Sequence, residues 1–339
     1  MIKRFIKNEL SLKRYRSFVS HRRAVVSFWI LVILTLMSAG GEFIANSKPI
    51  LLKFHGSYYT PVLNYYHPSV FGSSEGAVTD FRKLELGAND WALWPPSRFD
   101  PFESDADQPE ALNAPSHAHW MGTDDGGRDV FARLLYGYRY SMGYAVSTWI
   151  FASIIGVVMG AIMGFFGGWV DLLSQRWIEV WESLPVFLLL MIMRQSFNAG
   201  LVLLVLLSAI FGWTTTAAYT RAEFLKLRRR EFVEAARALG ANKRKIIFNH
   251  LLPNSLTPFI MTSSFVVSGY IVGLANLDYL GFGLQAPTPS WGELLNQAQK
   301  NFQMAWWLAL FPSLALFVVL ICMNYVGEGV REALDPRKS

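Results

Sequence analysis

The chain has 339 residues, 52% of them hydrophobic and 15% aromatic, which is far more apolar surface than a soluble domain of this size needs to fill one core. A bilayer takes up the excess, and the formal net charge of +6 comes from basic clusters at particular places, so nucleic acid is the wrong partner to infer. The single cysteine, Cys322, lies in an apolar run; this excludes an intramolecular disulfide framework and a Cys-based zinc site, and it reads as a small lipid- or helix-facing side chain.

Crossing hydrocarbon takes about 20 largely apolar residues in helical form, because every backbone polar group must be satisfied internally. Six segments qualify: Ala24 to Ile44, Ser141 to Phe166, Trp177 to Met193, Leu201 to Thr220, Thr257 to Ala275 and Ala305 to Val326. The predicted fold is therefore an all-α polytopic membrane protein with six transmembrane helices and a folded insert between helices 1 and 2. In domains it divides into a basic N-terminus (1–23), a first transmembrane helix (24–45), an insert (46–138), a core with the other five helices and a cytoplasmic elbow at 221–253 (139–330), and a tail (331–339).

At the N-terminus, Lys3, Arg4, Lys7, Lys13, Arg14, Arg16, Arg22 and Arg23 precede the first apolar stretch. A secretory signal has the same charge order, but this stretch is long, no small-x-small cleavage site ends it, and more spans follow. The positive-inside rule puts this segment in the cytoplasm together with the nine Lys/Arg between Arg221 and Pro253. With six spans, Arg331, Arg337 and Lys338 fall on the same side. The Asn46 to Tyr138 insert carries seven basic and twelve acidic residues and belongs outside, as does the loop from Asn276 to Met304. Its aromatic and proline content, as in Trp91-Ala92-Leu93-Trp94-Pro95-Pro96, predicts a small folded cap. His117 and His119 within it suggest a metal only in isolation; with no further ligand cluster they read as solvated loop histidines.

In the second span Ala152, Gly156, Gly160, Gly164 and Gly168 recur every four residues and draw one ridge along which another backbone can approach. That ridge serves either plain helix packing or a sliding surface for gating. The third span is marginal, with Arg176 and Arg194 at its ends and Pro185 inside, so a tilted or kinked helix is predicted. Glu179 and Glu182 lie on one face at its end. Arg176, three residues before Glu179, leaves two readings open, a structural ion pair or a role lining a cavity or gate.

Between the fourth and fifth spans, Glu231 to Leu239 reads as a short amphipathic helix with Phe232, Ala235, Ala236 and Leu239 on its apolar face. Gly240 ends it as a C-cap. Asn242 then caps a second short helix from Lys243 to Leu252, with Pro253 beginning the next segment. Lys243, Arg244 and Lys245 sit in that helix's first turn, where the macrodipole disfavours cations, so lipid headgroups or a partner must want them.

The order Glu234-Ala235-Ala236, three residues, Gly240, nine residues, His250, one residue, Leu252-Pro253 resembles the EAA motif of ABC importer permeases, which most often has Ile where His250 stands. Gly122 to Ser141 resembles the signature before the second span in the dipeptide/oligopeptide branch, with Gly126 in place of a larger residue. Phe282 to Gly292 is similar to that branch's outer loop. The Glu42 to Pro61 and Trp91 to Phe99 stretches look like the enlarged outer loop of the YejE-type permeases of microcin C and peptide importers. The resemblance covers nearly everything from Ala24 to Pro336.

It implies a type I ABC importer fold and the permease subunit of an ATP-driven peptide importer of the bacterial inner membrane. In that family Glu234, Ala235, Ala236, Arg237, Gly240, Leu252 and Pro253 would dock the ATPase through a coupling helix. The partners implied are a second permease subunit in a heterodimer, two cytoplasmic ATPase domains that hold the ATP and Mg, a periplasmic peptide-binding protein and membrane lipid. This chain itself would bind no cofactor. The insert and the loop bearing Gly281, Pro287, Pro289 and Trp291 would face the binding protein. Other solutes of the same family, such as nickel or opines, form the alternative. A built-in nucleotide site is excluded because no Gly-Lys dipeptide forms a Walker A loop. A membrane-embedded enzyme lacks its constellation, since there is no His-Glu-x-x-His and no His within the spans.

Overall fold

The computed structural model describes residues 9–72, 79–105, 110–197 and 200–335. Lys3, Arg4, Lys7, Arg337 and Lys338 of the basic termini lie outside the described residues. The chain is mostly helical and divides into two compact units. One comprises the residues up to Leu31, Met142–Leu277 and those from Val318 onward; the other comprises Val32–Ser141 and Asp278–Phe317.

Helices α1 (Glu9–Ser20), α2 (Arg22–Ala39), α3 (Val130–Phe166), α4 (Gly168–Glu182), α5 (Val186–Phe197), α6 (Leu201–Gly212) and α7 (Thr214–Leu227) are followed by α8 (Glu231–Ala238) and α9 (Lys243–Lys245). A π-helical turn, Ile246–Leu251, runs from α9 into α10 (Leu252–Tyr279), and α11 (Trp291–Lys300) and α12 (Trp306–Leu334) complete the set. Among the described residues, α2, α3, the continuous Lys243–Tyr279 helix and α12 are each long and apolar enough to cross a membrane, and α6 with α7 makes a fifth if that pair, bent by 41°, is one span. Only 22–33% of the apolar window in each of the four is buried within the chain. Side chains such as Leu36, Ile154, Val202 and Phe317 stand exposed along these helices, an arrangement that water disfavours and lipid accommodates.

The predicted third span is divided. Ser183 to Pro185 separates α4 from α5, and each piece is too short to cross alone. Proline removes a backbone donor and restricts the residue before it, so the kink expected at Pro185 is a full break. The predicted fourth span is likewise bent at Trp213. The buried core of the first unit includes Leu204, Leu207, Ala209, Ala217, Phe224, Ile271 and Leu274, and Cys322 is buried too.

The second unit corrects the all-α expectation. It holds a three-stranded antiparallel sheet, in the order β2 (Ser57–Tyr59), β1 (Leu51–Phe54), β3 (Trp91–Leu93), with Leu52 opposite both Tyr59 and Ala92. Leu52, Phe54 and Phe71 form its core with Tyr59, Tyr66, Phe81 and Leu84 packed around them. Alternation along β1 turns Leu52 and Phe54 inward, and the aromatic content legible in the sequence supplies the rest. Helix α3 begins well before the predicted start at Ser141 because Asp129 caps it, its Oδ1 accepting from the Ala132 amide at 2.8 Å.

Candidate functional site

The elbow between α7 and α10 is built by local rules. α8 ends in a Schellman motif, with Gly240 N–H donating to Arg237 O at 2.9 Å and Ala241 N–H to Ala236 O at 3.0 Å. Gly240 carries φ +79°, the left-handed conformation this closure demands. Asn242 Oδ1 then accepts from the Lys245 amide at 2.8 Å and starts α9. The second short helix does not stop at Pro253, which lies inside a helix continuous to Tyr279. The π turn explains how. Leu252 N–H reaches back to Ile247 O, which widens the helix where the Pro253 ring would otherwise meet the carbonyl of Asn249, and Asn254 Nδ2 donates to His250 O at 2.7 Å.

The side of α8 buried within the chain is not the apolar strip read from the periodicity. Val233 is fully buried against Phe224, Ile246 and Leu251, with Leu227, Ala241 and Leu252 packed around them. Phe232 and Leu239 are 43% and 88% exposed. Ala235 is exposed and Ala236 half-buried, so the apolar strip read from the periodicity lies on the open side. Glu234, Arg237, Gly240 and Pro253 are also exposed and Leu252 is half-buried. His250 has its ring 6.5 Å from that of Phe232. Lys243 lies over the Phe166 ring at 5.8 Å, and Arg244 and Lys245 are exposed.

Behind the elbow, α7 packs on the glycine ridge of α3. A methyl group on Gly156 would sit 2.6 Å from Thr216 Cβ and from Trp213 O, one on Gly160 would meet Ala217 O, and one on Gly164 would meet Phe224 Cβ. Gly168 does not continue the ridge. It opens α4 with φ +56° and nothing near it, because the chain turns at Gly167 and Gly168. Arg228 closes the end of α3, its Nη1 donating to Gly164 O at 3.2 Å and Phe165 O at 3.3 Å, where the helix dipole favours a cation. Arg221 forms a fork with Asp171, Nη2 to Oδ2 at 2.7 Å. Neither arginine contact had a signal in the sequence, because the partners are about fifty or more residues apart.

Arg176 and Glu179 form an ion pair at 2.6 Å, with both side chains exposed, and Glu182 is exposed as well. Trp177 stacks on Trp181, and Trp181 stacks on Phe211.

In the second unit, the loop expected to face a partner is split by burial. Gly281, with φ +80°, and Pro287 are exposed, whereas Pro289 and Trp291 are buried. Trp291 Nε1 donates to Leu134 O at 2.9 Å, and Pro287 O accepts from Arg133 at 3.2 Å, so both serve the interior of the unit. Arg133, fully buried, also donates to Pro101 O at 3.0 Å and pairs with Glu293 and, at 3.1 Å, with Asp124. Asp124 accepts in addition from the amides of Gly126 and Arg128 and from Arg128 Nε. Beside it, Asp125 has its carboxyl pushed up, by partial burial and by the charge of Asp124.

His119 departs furthest from expectation. It is buried with Nδ1 2.9 Å from Asp129 Oδ2 and Nε2 3.1 Å from Asp105 Oδ2, its ring against Phe99. Burial alone would push this imidazole down, but the two hydrogen bonds and the two carboxylate charges together raise it above its ordinary value. No group of His, Cys, Asp and Glu suited to a metal ion occurs among the described residues.

Comparisons with known proteins identify the family. The model of the family described as binding-protein-dependent transport system inner membrane component matches residues 156–339, the stretch holding ridge and elbow. That of the N-terminal TM domain of oligopeptide transport permease C matches residues 14–61. The chain is 38% identical to the peptidoglycan transport system permease protein YejE of Agrobacterium fabrum, over 96% of this chain and 93% of that protein. It is 38% identical to the inner membrane ABC transporter permease protein YejE of Escherichia coli, over 96% and 97%. To the dipeptide transport system permease protein DppC of Alkalihalophilus pseudofirmus it is 37% identical over 67% and 74%. The chain therefore belongs to the binding-protein-dependent transport system inner membrane components, the integral-membrane permease subunits of ABC importers.

Proposed function

We propose that this permease conducts peptides across the bacterial inner membrane and that its elbow, Glu234 to Pro253, is the socket for the ATPase. The observation that carries the docking assignment is the strip Phe232, Ala235 and Leu239, exposed on a helix whose opposite side is rooted through Val233 in α7. A push on that strip passes through Val233 and Phe224 to α7 and across the glycine ridge to α3, so ATP-driven closure of the partner moves helices rather than a loose loop. Glu234, Arg237 and Gly240 present charge and a sharp turn around the strip. Peptide as cargo is supported by 38% identity, nearly end to end, with permeases named for peptidoglycan transport, and by the likeness to a dipeptide permease.

In this reading six crossings place both termini in the cytoplasm, with α4 and α5 together supplying the third. A second permease subunit completes the pathway, and ATP and Mg stay on two ATPase domains. The 46–138 insert, Gly281 and Pro287 receive the periplasmic binding protein.

The test is co-purification and uptake. Leu239→Asp and Glu234→Lys, both at exposed positions, are expected to release the ATPase while the chain stays folded in the membrane, and to abolish uptake of a labelled peptide library. If the ATPase stays bound and uptake persists, the docking assignment fails.

A further inference from the structure

Helix α1 stands one residue before the first span and carries two features that nothing among the described residues satisfies. Lys13, Arg14, Arg16 and Arg22 are exposed, and none forms an ion pair among the described residues. On the same helix Leu12, Tyr15 and Val19, at i, i+3 and i+7, form an apolar strip; Tyr15 and Val19 are exposed, at 39% and 44%, and Leu12 is half-buried.

The position of the helix is fixed from one side. Phe18 lies against Gly329 of α12, and the ring of Phe28 in α2 stands edge-on to Phe18 at 6.4 Å. His21, the residue between α1 and α2, pairs with Glu332, and Arg23 lies over the Tyr325 ring at 5.9 Å. The hydrogen bonds His21 N–H to Phe18 O and Val25 N–H to His21 O tie the two helices together. Such a helix, polar on balance and with basic side chains flanking an exposed strip of Leu, Tyr and Val, has the make-up of an element lying in the plane of a membrane interface. Its direct continuity with a membrane-crossing helix brings it to that interface without a linker.

We propose that α1 is an in-plane membrane helix that binds anionic phospholipid, its Leu12, Tyr15 and Val19 strip entering the acyl boundary and Lys13, Arg14, Arg16 and Arg22 pairing with headgroup phosphates. Anionic lipid is the occupant because one helix offers both an apolar strip and cations with no ion pair among the described residues, and a headgroup joined to acyl chains matches both.

The experiment uses the full chain with a spin label at Val19→Cys, reconstituted into nanodiscs of phosphatidylcholine alone or of an equimolar mixture with phosphatidylglycerol. In the mixture the label is expected to become accessible to oxygen and shielded from an aqueous nickel chelate. The Lys13→Gln, Arg14→Gln, Arg16→Gln, Arg22→Gln variant, altered only at exposed sites, should lose that shift, each removed charge weakening the association about fivefold. High salt should do the same to the native sequence. A label equally exposed to water in both membranes overturns the proposal. So does a label shielded equally in both, or one shielded only when the ATPase is added. None of these outcomes depends on the elbow, so this reading and the docking assignment stand or fall separately.

Discussion

Nδ1 of His119 lies 2.9 Å from Oδ2 of Asp129, with both side chains buried, and this pair ties a surface segment to the cap of α3. Asp105 takes the other ring nitrogen at 3.1 Å. The two carboxylates therefore favour the imidazolium form, and the pKa of His119 lies above the ordinary 6.5.

Linkage sets the pH behaviour. A histidine whose folded pKa is raised stabilises fully below its unfolded value near 6.5, and that contribution is lost as pH rises through the higher folded value. Thermal melting of the reconstituted chain is expected to show stability falling as pH rises from about 6.5 through the raised folded pKa, whereas His119→Gln lowers the melting temperature at pH 6 and flattens the pH profile. Removing one member of a buried ionic group costs on the order of 3 kcal/mol. An unchanged pH profile in His119→Gln would exclude the imidazolium.

Asp124 and Asp125 are neighbours with different fates. Asp124 is fully buried and serves Arg128, Arg133 and two backbone amides, so Asp124→Ala is expected to cost roughly 3–5 kcal/mol by stripping a buried carboxylate from both arginines and leaving Arg133 with Glu293 alone. Asp125, with a side chain 40% exposed, is expected to change by under about 0.5 kcal/mol on the same substitution. Denaturation of the two variants side by side decides between them.

The α3 ridge separates glycines that face a backbone from one that faces space. Gly156→Ala and Gly160→Ala are expected to destabilise by about 1–3 kcal/mol, because the added methyl meets Trp213 O and Thr216 in one case and Ala217 O in the other. Gly143→Ala, in the same helix with nothing within 4 Å, is expected to be neutral or to stabilise by up to about 1 kcal/mol. Thermal stability in detergent measures all three.

Within the elbow, Val233→Ala removes a fully buried side chain and is expected to cost about 1–2 kcal/mol, while Leu239→Ala leaves stability unchanged. Gly240→Ala meets no atom but forces a left-handed residue, costing roughly 1 kcal/mol. Hydrogen exchange across 231–252 is expected to rise in the first and third variants alone.

The apolar runs were legible because about 20 residues of hydrocarbon crossing leave a local, contiguous record. The helix, glycine and cap of the elbow were legible for the same reason, since Gly240 and Asn242 act on neighbours three to five residues away. The sequence by itself thus determined the family, the helical segments and the place of the turn. Only the tertiary structure decided that Val233 rather than Phe232 is the buried side of α8, that Pro185 divides a span, that Gly168 leaves the ridge, and that His119 sits between two aspartates. A helix's period says that it has two faces, but which one is buried depends on what α7 and the π turn bring to it. Likewise the ionisation of His119 depends on Asp105, fourteen residues away, being folded back onto the same ring.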